Sequence, residues 1–399
     1  MHGFGFGADA EAVFRLRRAP RSPVVRGGTD AEGPRRSPCF TEGRGGRVRF
    51  EPSIDRARLL QVVREAYGIA ASSLSFMPLG FVTAALYELH SDDGGRYVLK
   101  VWTEMPVGEQ TAERQRDSLL LTRALHDQGV GLRVPYPVLT RAGDVWAELD
   151  GMPLALAPFL PGAAPTAWTV ALRQEFGRAV AAVHRATPVA AGIPLRRERF
   201  DIAFEPALRQ ALGVAARIQP DARTGLQATR EWALRHRHAI LAGLARLHRL
   251  EEMVRALDGP FVLCHTDLHT NNLLLNADGH LALMDWDDVK IAPPEHDLWS
   301  VIHPDYTGAG FDQFLPAYRH AGGVQPLFIE HFAFYLLRRY LEDTWVDLEL
   351  LLRPHADPRE DGTHLGWLDA SARQWSRLDA TLLPMAEALE QDRTSGSRA

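Results

Sequence analysis

The chain has 399 residues, 46% of them hydrophobic and 24% charged, a globular composition long enough for two sizeable lobes around one cleft. Its two cysteines, Cys39 and Cys264, exclude a disulfide framework and a cysteine-based zinc site and fit a reducing, cytoplasmic setting, and no apolar run is long enough to span a membrane. Residues 1–50 hold ten arginines against five acids, +5, so a net charge of −5 leaves −10 on residues 51–399, which argues against a nucleic-acid partner and suits a small cationic one.

Taken in chain order, residues 1–50 are rich in Gly, Pro, Arg and Ser without periodicity and are predicted to be a disordered arm. Order is expected from Pro52 and Ser53, with Ser53 capping a helix that starts at Ile54 and buries Leu59, Leu60, Val63 and Tyr67. Strands are predicted over 74–79, 84–90 and 97–102, then a helix over 110–127, then strands over 134–139, 145–149 and 154–159. This small sheet with its helix makes a first lobe, 51–161. The second lobe, 162–399, reads as mainly helical: Leu172, Phe176, Val180 and Val183 mark one helix, Leu241 to Leu257 another, and residues 328–352 a long amphipathic third. Arginine supplies nearly every positive charge; of 45 basic residues only Lys100 and Lys290 are lysines. A retained lysine suggests a need for a compact ammonium where a planar guanidinium would not serve.

An island of β-like sequence, residues 261–288 (FVLCHTDLHTNNLLLNADGHLALMDWDD), interrupts the helices. An apolar strand at 261–264 leads into His265, Asp267 and Asn272. Two short strands, 273–276 and 281–284, flank a turn at 277–280. Out and back over equal lengths, they bring Asn272 and Asp285 to the same end of a hairpin, with Asp267 on the loop that feeds it. Phosphoryl transfer needs such a group: oxygen ligands for Mg²⁺, here Asn272 and Asp285, and a carboxylate, Asp267, to accept the proton of the attacking hydroxyl. The His-x-Asp-x-x-x-x-Asn spacing followed by a hairpin and a second Asp is that of a kinase catalytic loop. His265 is expected to hold the loop. A metal site on His265 and His269 is a weaker alternative, because no glutamate base lies between them.

HTDLHTNNLLL resembles the His-Gly-Asp-Leu-His-x-x-Asn loop of aminoglycoside phosphotransferases and choline kinases. The later LMDWDDVKIAPPEHDLW looks like the spectinomycin-type branch, and the likeness extends over roughly residues 70–350. It implies an α+β, two-lobed, protein-kinase-like fold and ATP-dependent transfer, with GTP an alternative donor and Mg²⁺ the cofactor. The implied acceptor is a hydroxyl of an aminoglycoside or aminocyclitol; a metabolic kinase for choline, homoserine or a sugar is the alternative. By resemblance Asp297 ties the following helix to the catalytic loop, and Thr266 stands where many relatives have glycine.

The resemblance also assigns the first lobe to the nucleotide. Lys100 would pair with its phosphates and take an acidic partner from the next helix, Asp117 by register or Glu113 one turn earlier. Gly80 and Thr83 would lie in the phosphate-covering loop. Pro158, through its carbonyl, and Leu160, through its amide, would hold adenine at the linker between lobes. Glu342, Asp343 and Asp347 on the late helix are candidates for a cationic acceptor, and Lys290 for a place at the cleft mouth.

Overall fold

The computed structural model describes residues 51–78, 84–103, 109–299, 308, 310–353 and 358–396. The predicted arm, 1–50, and the phosphate-covering loop with Gly80 and Thr83 lie outside the described residues.

The first lobe opens with a short helix α1 (Arg56–Val62), continued by a π-type turn through Tyr67. Its cap is Asp55, not Ser53: Asp55 Oδ1 accepts from the amides of Ala57 and Arg58 at 2.8 and 3.3 Å. The carboxylate is the stronger cap, because it brings negative charge to the helix's positive end. Strands β1 (Ala71–Met77), β2 (Ala84–Ser91) and β3 (Arg96–Trp102) follow, then helix α2 (Glu109–Asp127), then β4 (Ala147–Leu149) and β5 (Met152–Pro158). They form one antiparallel sheet in the order β1-β2-β3-β5-β4. Its core packs Leu59, Val63 and Tyr67 against Leu89, Leu99, Val101, Leu154 and Leu156.

The strand expected over 134–139 does not form. Arg133 alone makes a bridge, to Ala282, and Val138 donates to the Leu156 carbonyl at 2.7 Å. Pro135 and Pro137 lack the amide hydrogens that a strand ladder needs.

After β5 the chain joins the second lobe at once. Ala163 exchanges both backbone hydrogen bonds with Leu275, at 3.1 and 2.9 Å. Gly162 makes this approach possible, since a Cβ there would lie 3.1 Å from the Leu275 carbonyl oxygen. Helices α3 (Val170–Arg185), α4 (Glu205–Ala216) and α5 (Thr224–Arg255) build one side of the lobe, with β6 (Arg196–Arg197) between α3 and α4. Then come β7 (Val262–Cys264), β8 (Leu273–Leu275), β9 (Leu281–Leu283) and β10 (Lys290–Ala292). Helices α6 (Glu295–Leu298), α7 (Phe311–His320), α8 (Ile329–Leu352), α9 (Asp361–Ser376) and α10 (Leu378–Gly396) complete the lobe. The buried helix α8 carries Phe332, Phe334, Leu336, Leu337 and Leu341 into a core shared with α3, α5 and α7. Two separate cores, one under the sheet and one among the helices, give the two-lobed α+β fold that the sequence implied. Among the described residues no helix is long and apolar enough to cross a membrane.

Candidate active site

The site grows from the hairpin. β8 and β9 pair antiparallel with Leu273 opposite Leu283, and the Met284 amide bonds the Asn272 carbonyl at 2.8 Å. Asn272 and Asp285 therefore meet at the open end, as their spacing predicts. Asn272 Nδ2 donates to the Asp267 carbonyl at 2.8 Å and to its Oδ2 at 3.3 Å, leaving the Asn272 Oδ1 as the amide's acceptor end. Asp285 sits at φ 60°, a left-handed conformation that Asp tolerates better than most residues and that turns the chain sharply out of β9.

The loop itself is held from behind. His265 Nε2 lies 2.7 Å from the Met284 carbonyl, which can only accept, so the proton is on Nε2 and Nδ1 faces the Asp267 amide at 3.4 Å. Burial depresses the His265 pKa and favours this neutral tautomer. Asp297, fully buried, accepts from the His265 amide at 2.9 Å and the Thr266 amide at 2.6 Å, so α6 is bonded to the loop. His184 on α3 adds a 3.3 Å contact to the Asp297 Oδ2 and bonds Tyr318 through its other nitrogen at 2.8 Å. Burial acts to raise the Asp297 pKa, but these donors hold it below its usual value. Cys264 lies near His184 and Asp297, yet its thiol points to the Ala292 and Pro293 carbonyls and burial pushes its pKa up, which gives this trio the character of a packed hydrogen-bond cluster and not of a metal site.

Thr266 adopts φ 75°, where a β-branched residue is strained. Its amide on Asp297 and its hydroxyl, 3.1 Å from the Asp288 carbonyl, keep it there. A glycine would need neither support. Thr266→Val, which keeps the strain and loses the hydroxyl, is expected to cost about 1–2 kcal/mol, whereas Thr266→Gly should stay within about 1 kcal/mol of wild type. Denaturant titration of the two variants checks the order; a Val variant as stable as the Gly variant would show that no strain is stored here.

The electrostatics are those of crowded carboxylates. The half-buried Asp267 would have its pKa raised by desolvation, but His269 at 3.4 Å from Oδ2 and Arg339 at 3.3 Å from Oδ1 hold it well below the usual carboxylate range. Asp285 goes the other way: burial first, then the neighbouring charge of Asp287, push it up to about 7 against the opposing pull of Lys100. Lys100 reaches across the cleft from β3 and bonds Asp287 Oδ2 at 2.7 Å. That partner differs from the expected Asp117 or Glu113. Asp117 on α2 is instead raised in pKa by desolvation and by Glu113 beside it, and α2 touches the loop through Ser118, whose hydroxyl donates to the Trp286 carbonyl at 2.8 Å.

Two functional neighbours escaped the sequence reading, Asp287 and Arg339. Asp287 carries a visible signal, an acid two residues past Asp285 in Asp-Trp-Asp-Asp. Arg339 stood in the quoted run before Glu342, but nothing in a helix sequence says which side chain turns to a loop 72 positions earlier. Of the acids proposed for a cationic acceptor, Asp343 is buried and paired with Arg339 at 3.1 Å, Asp347 is buried against His364 at 3.2 Å, and Glu342 is half-buried near Arg338.

At the junction of the lobes, the Leu156 carbonyl faces Val138 while the Phe159 amide donates to Arg96 on the opposite edge at 2.9 Å. Strand alternation turns the carbonyl of Pro158, the last residue of β5, to the same edge as that of Leu156.

A lysine, three carboxylates and an amide thus converge between the two lobes. A family described as the phosphotransferase enzyme family, APH, matches residues 82–335. The chain belongs to that family. The family is one of phosphotransferase enzymes. Among curated proteins it is similar to a homoserine kinase of Phenylobacterium zucineum, 33% identical over 131 residues, covering 32% of this chain and 38% of the relative. A homoserine kinase of Methylobacterium radiotolerans is 29% identical over 224 residues, 55% of this chain and 61% of the relative. The matches thus span between 38% and 61% of the lengths of these relatives. Among solved structures, a spectinomycin phosphotransferase in complex with ADP and spectinomycin superposes with a TM-score of 0.66 over 85% of this chain and all (100%) of its own, at 19% identity, a likeness of fold.

The donor set at this end of the cleft suits a hard divalent cation such as Mg²⁺. Asn272, Asp285 and Asp287 offer oxygen atoms alone, and the raised pKa of Asp285 marks an excess of negative charge that a divalent cation would relieve.

Proposed function

We propose that this phosphotransferase moves the γ-phosphoryl group of ATP to a hydroxyl of a small, amine-bearing molecule by direct in-line transfer. The convergence of Asp267, Asn272 and Asp285 at one hairpin end, opposite Lys100, supports this most strongly. Mg²⁺, bound by Asn272 and Asp285 with Asp287 beside them, would neutralise charge on the transferring phosphate. Lys100 would release Asp287 and hold the phosphates; Gly80 and Thr83 would cover them, and Pro158 and Leu160 would hold the base. Asp267 orients the acceptor hydroxyl and takes its proton. Its depressed pKa keeps it ionised at any working pH, so its main contribution before transfer is to aim the hydroxyl, and the proton moves late. Asp297 and His265 keep the loop in place for this.

The acceptor is either an aminocyclitol antibiotic, as in the spectinomycin enzyme of the same fold, or a hydroxylated metabolite such as homoserine. Arg339 on the base favours the second, because a polycationic acceptor would meet a guanidinium where its hydroxyl must dock. ADP release measured against spectinomycin, choline, L-homoserine and neutral sugars tests both levels. Turnover with none of a broad alcohol panel would remove the kinase reading; a preference for spectinomycin would remove the metabolic one.

Lys100→Arg tests the nucleotide half. The fork-shaped guanidinium cannot replace a point donor between Asp287 and the phosphates. The KM for ATP is expected to rise about tenfold with a comparable fall in kcat, the size of one charge-assisted hydrogen bond. Unchanged kinetics would place the phosphates elsewhere.

A further inference from the structure

Lys290, the second of the two lysines, has no role in the phosphotransfer described above. It lies on β10, with Cys264 opposite on β7 and Arg196 opposite on β6. Its ammonium is largely buried, and the closest carboxylate oxygen among the described residues, Glu198 Oε2, is 3.8 Å away, beyond a good hydrogen bond. Glu198 is already engaged. Its oxygens receive Arg338 at 3.2 and 3.1 Å and the amides of Arg199 and Phe200 at 2.9 and 2.7 Å, with His296 at 3.3 Å. Asp288, a second acid nearby, receives Arg114 at 2.7 Å and Arg196 at 3.0 Å. Four cations, Arg114, Arg196, Lys290 and Arg338, thus face three carboxylates, Glu198, Asp288 and the Glu342 beside Arg338. Desolvation and the charges of Arg338 and Arg196 lower the Lys290 pKa, although Glu198 and Asp288 act to raise it.

A second observation points the same way. His296 is buried, and its Nε2 lies 3.0 Å from an Arg338 nitrogen that can only donate. The same Nε2 also lies 3.3 Å from the acceptor Glu198 Oε2, and the buried Nδ1 on the other side of the ring has no hydrogen-bond partner among the described residues. A buried ammonium with no carboxylate in hydrogen-bond reach, beside a buried ring nitrogen with no partner, is costly unless a ligand completes the pair.

The cluster flanks the base on two sides. The Asp288 carbonyl is bonded by Thr266, the residue before Asp267, and Arg338 is adjacent in sequence to Arg339, which binds Asp267 directly. It lies on the second-lobe side of the catalytic loop, whereas Lys100 comes from the first lobe. We propose that the Lys290–Arg338–His296 cluster is a carboxylate subsite, and that the acceptor is a hydroxy acid whose carboxylate rests there while its hydroxyl meets Asp267. A hydroxylated α-amino acid belongs to this class. This proposal rests on the kinase reading and narrows it.

The test compares L-homoserine with L-homoserine amide, the same alcohol and amine without the negative charge, and with spectinomycin. The wild-type enzyme should prefer the acid by about 10–100-fold in kcat/KM, the range of one or two charge-assisted bonds. Lys290→Gln should bring acid and amide within about threefold while leaving the KM for ATP unchanged. Because it removes a buried cation with no carboxylate in hydrogen-bond reach, Lys290→Gln should also melt no lower than wild type, which separates lost recognition from lost folding. Equal turnover of acid and amide by the wild type, preferred turnover of spectinomycin, or an acid preference that survives Lys290→Gln each overturns the subsite and leaves the kinase reading standing. Absence of ADP release with every acceptor overturns both.

Discussion

Asp267→Asn is expected to lower kcat by about 10²–10⁴, the range for loss of a general base, and to leave nucleotide affinity within a few-fold. The substitution is nearly isosteric. The bond from Asn272 to the residue 267 carbonyl does not involve the side chain and should survive, so the geometry of the metal-holding end is kept. What is lost is the acceptor for the hydroxyl proton and the charge that pairs with Arg339 at 3.3 Å. A released Arg339 still has Asp343 at 3.1 Å, so the helix keeps its local ion pair and the protein should fold normally. Single-turnover kinetics separate transfer from product release, and titration with a fluorescent ATP analogue reads binding. Turnover within threefold of wild type would take Asp267 out of the proton path. A large loss of nucleotide affinity would mean instead that Asp267 acts chiefly through the metal site.

The parts of this architecture legible in the sequence are those written in contiguous segments. The hairpin after Asn272 spans a dozen residues, and its strand–turn–strand pattern places Asn272 and Asp285 together by geometry alone. The alternation at Lys100 and the periodicity of α8 are local in the same sense. Failures have two sources. Some are local competitions: Asp55 outcompetes Ser53 as a cap, and Pro135 with Pro137 remove a strand that apolar spacing suggests. Others are long-range. Lys100 meets Asp287 across 187 positions and Asp267 meets Arg339 across 72, pairings that depend on how the lobes and α8 pack. The cost of the second kind is chemical. Counting the acids of α8 without their partners suggests a cleft made for cations, whereas Asp343 and Asp347 are both paired within the protein.

Asp285→Asn should abolish Mg²⁺-dependent nucleotide binding and yet stabilise the ligand-free enzyme above neutral pH. Burial and the adjacent Asp287 push the Asp285 pKa up to about 7, from a value of 3.8 in the unfolded chain. A raised carboxylate pKa means that the folded state binds more protons than the unfolded state between these values. Stability therefore falls as pH rises from about 4 to about 7 and stays low above, because the folded protein then carries a buried charge that it disfavours. Asparagine removes that penalty, and its amide suits the left-handed φ of 60° at this position. The gain should be about 2 kcal/mol at pH 8, or roughly 2–3 °C in Tm for a chain of this length, and should vanish near pH 4. In the wild type, ATP with Mg²⁺ should raise Tm at pH 8 by supplying the missing positive charge; in Asp285→Asn the same addition should do nothing. A variant that melts below wild type at pH 8 would show that Asp285 is held by partners that favour its ionised form. One that still gains stability from Mg²⁺ and ATP would move the metal to Asp287 and Asn272 alone.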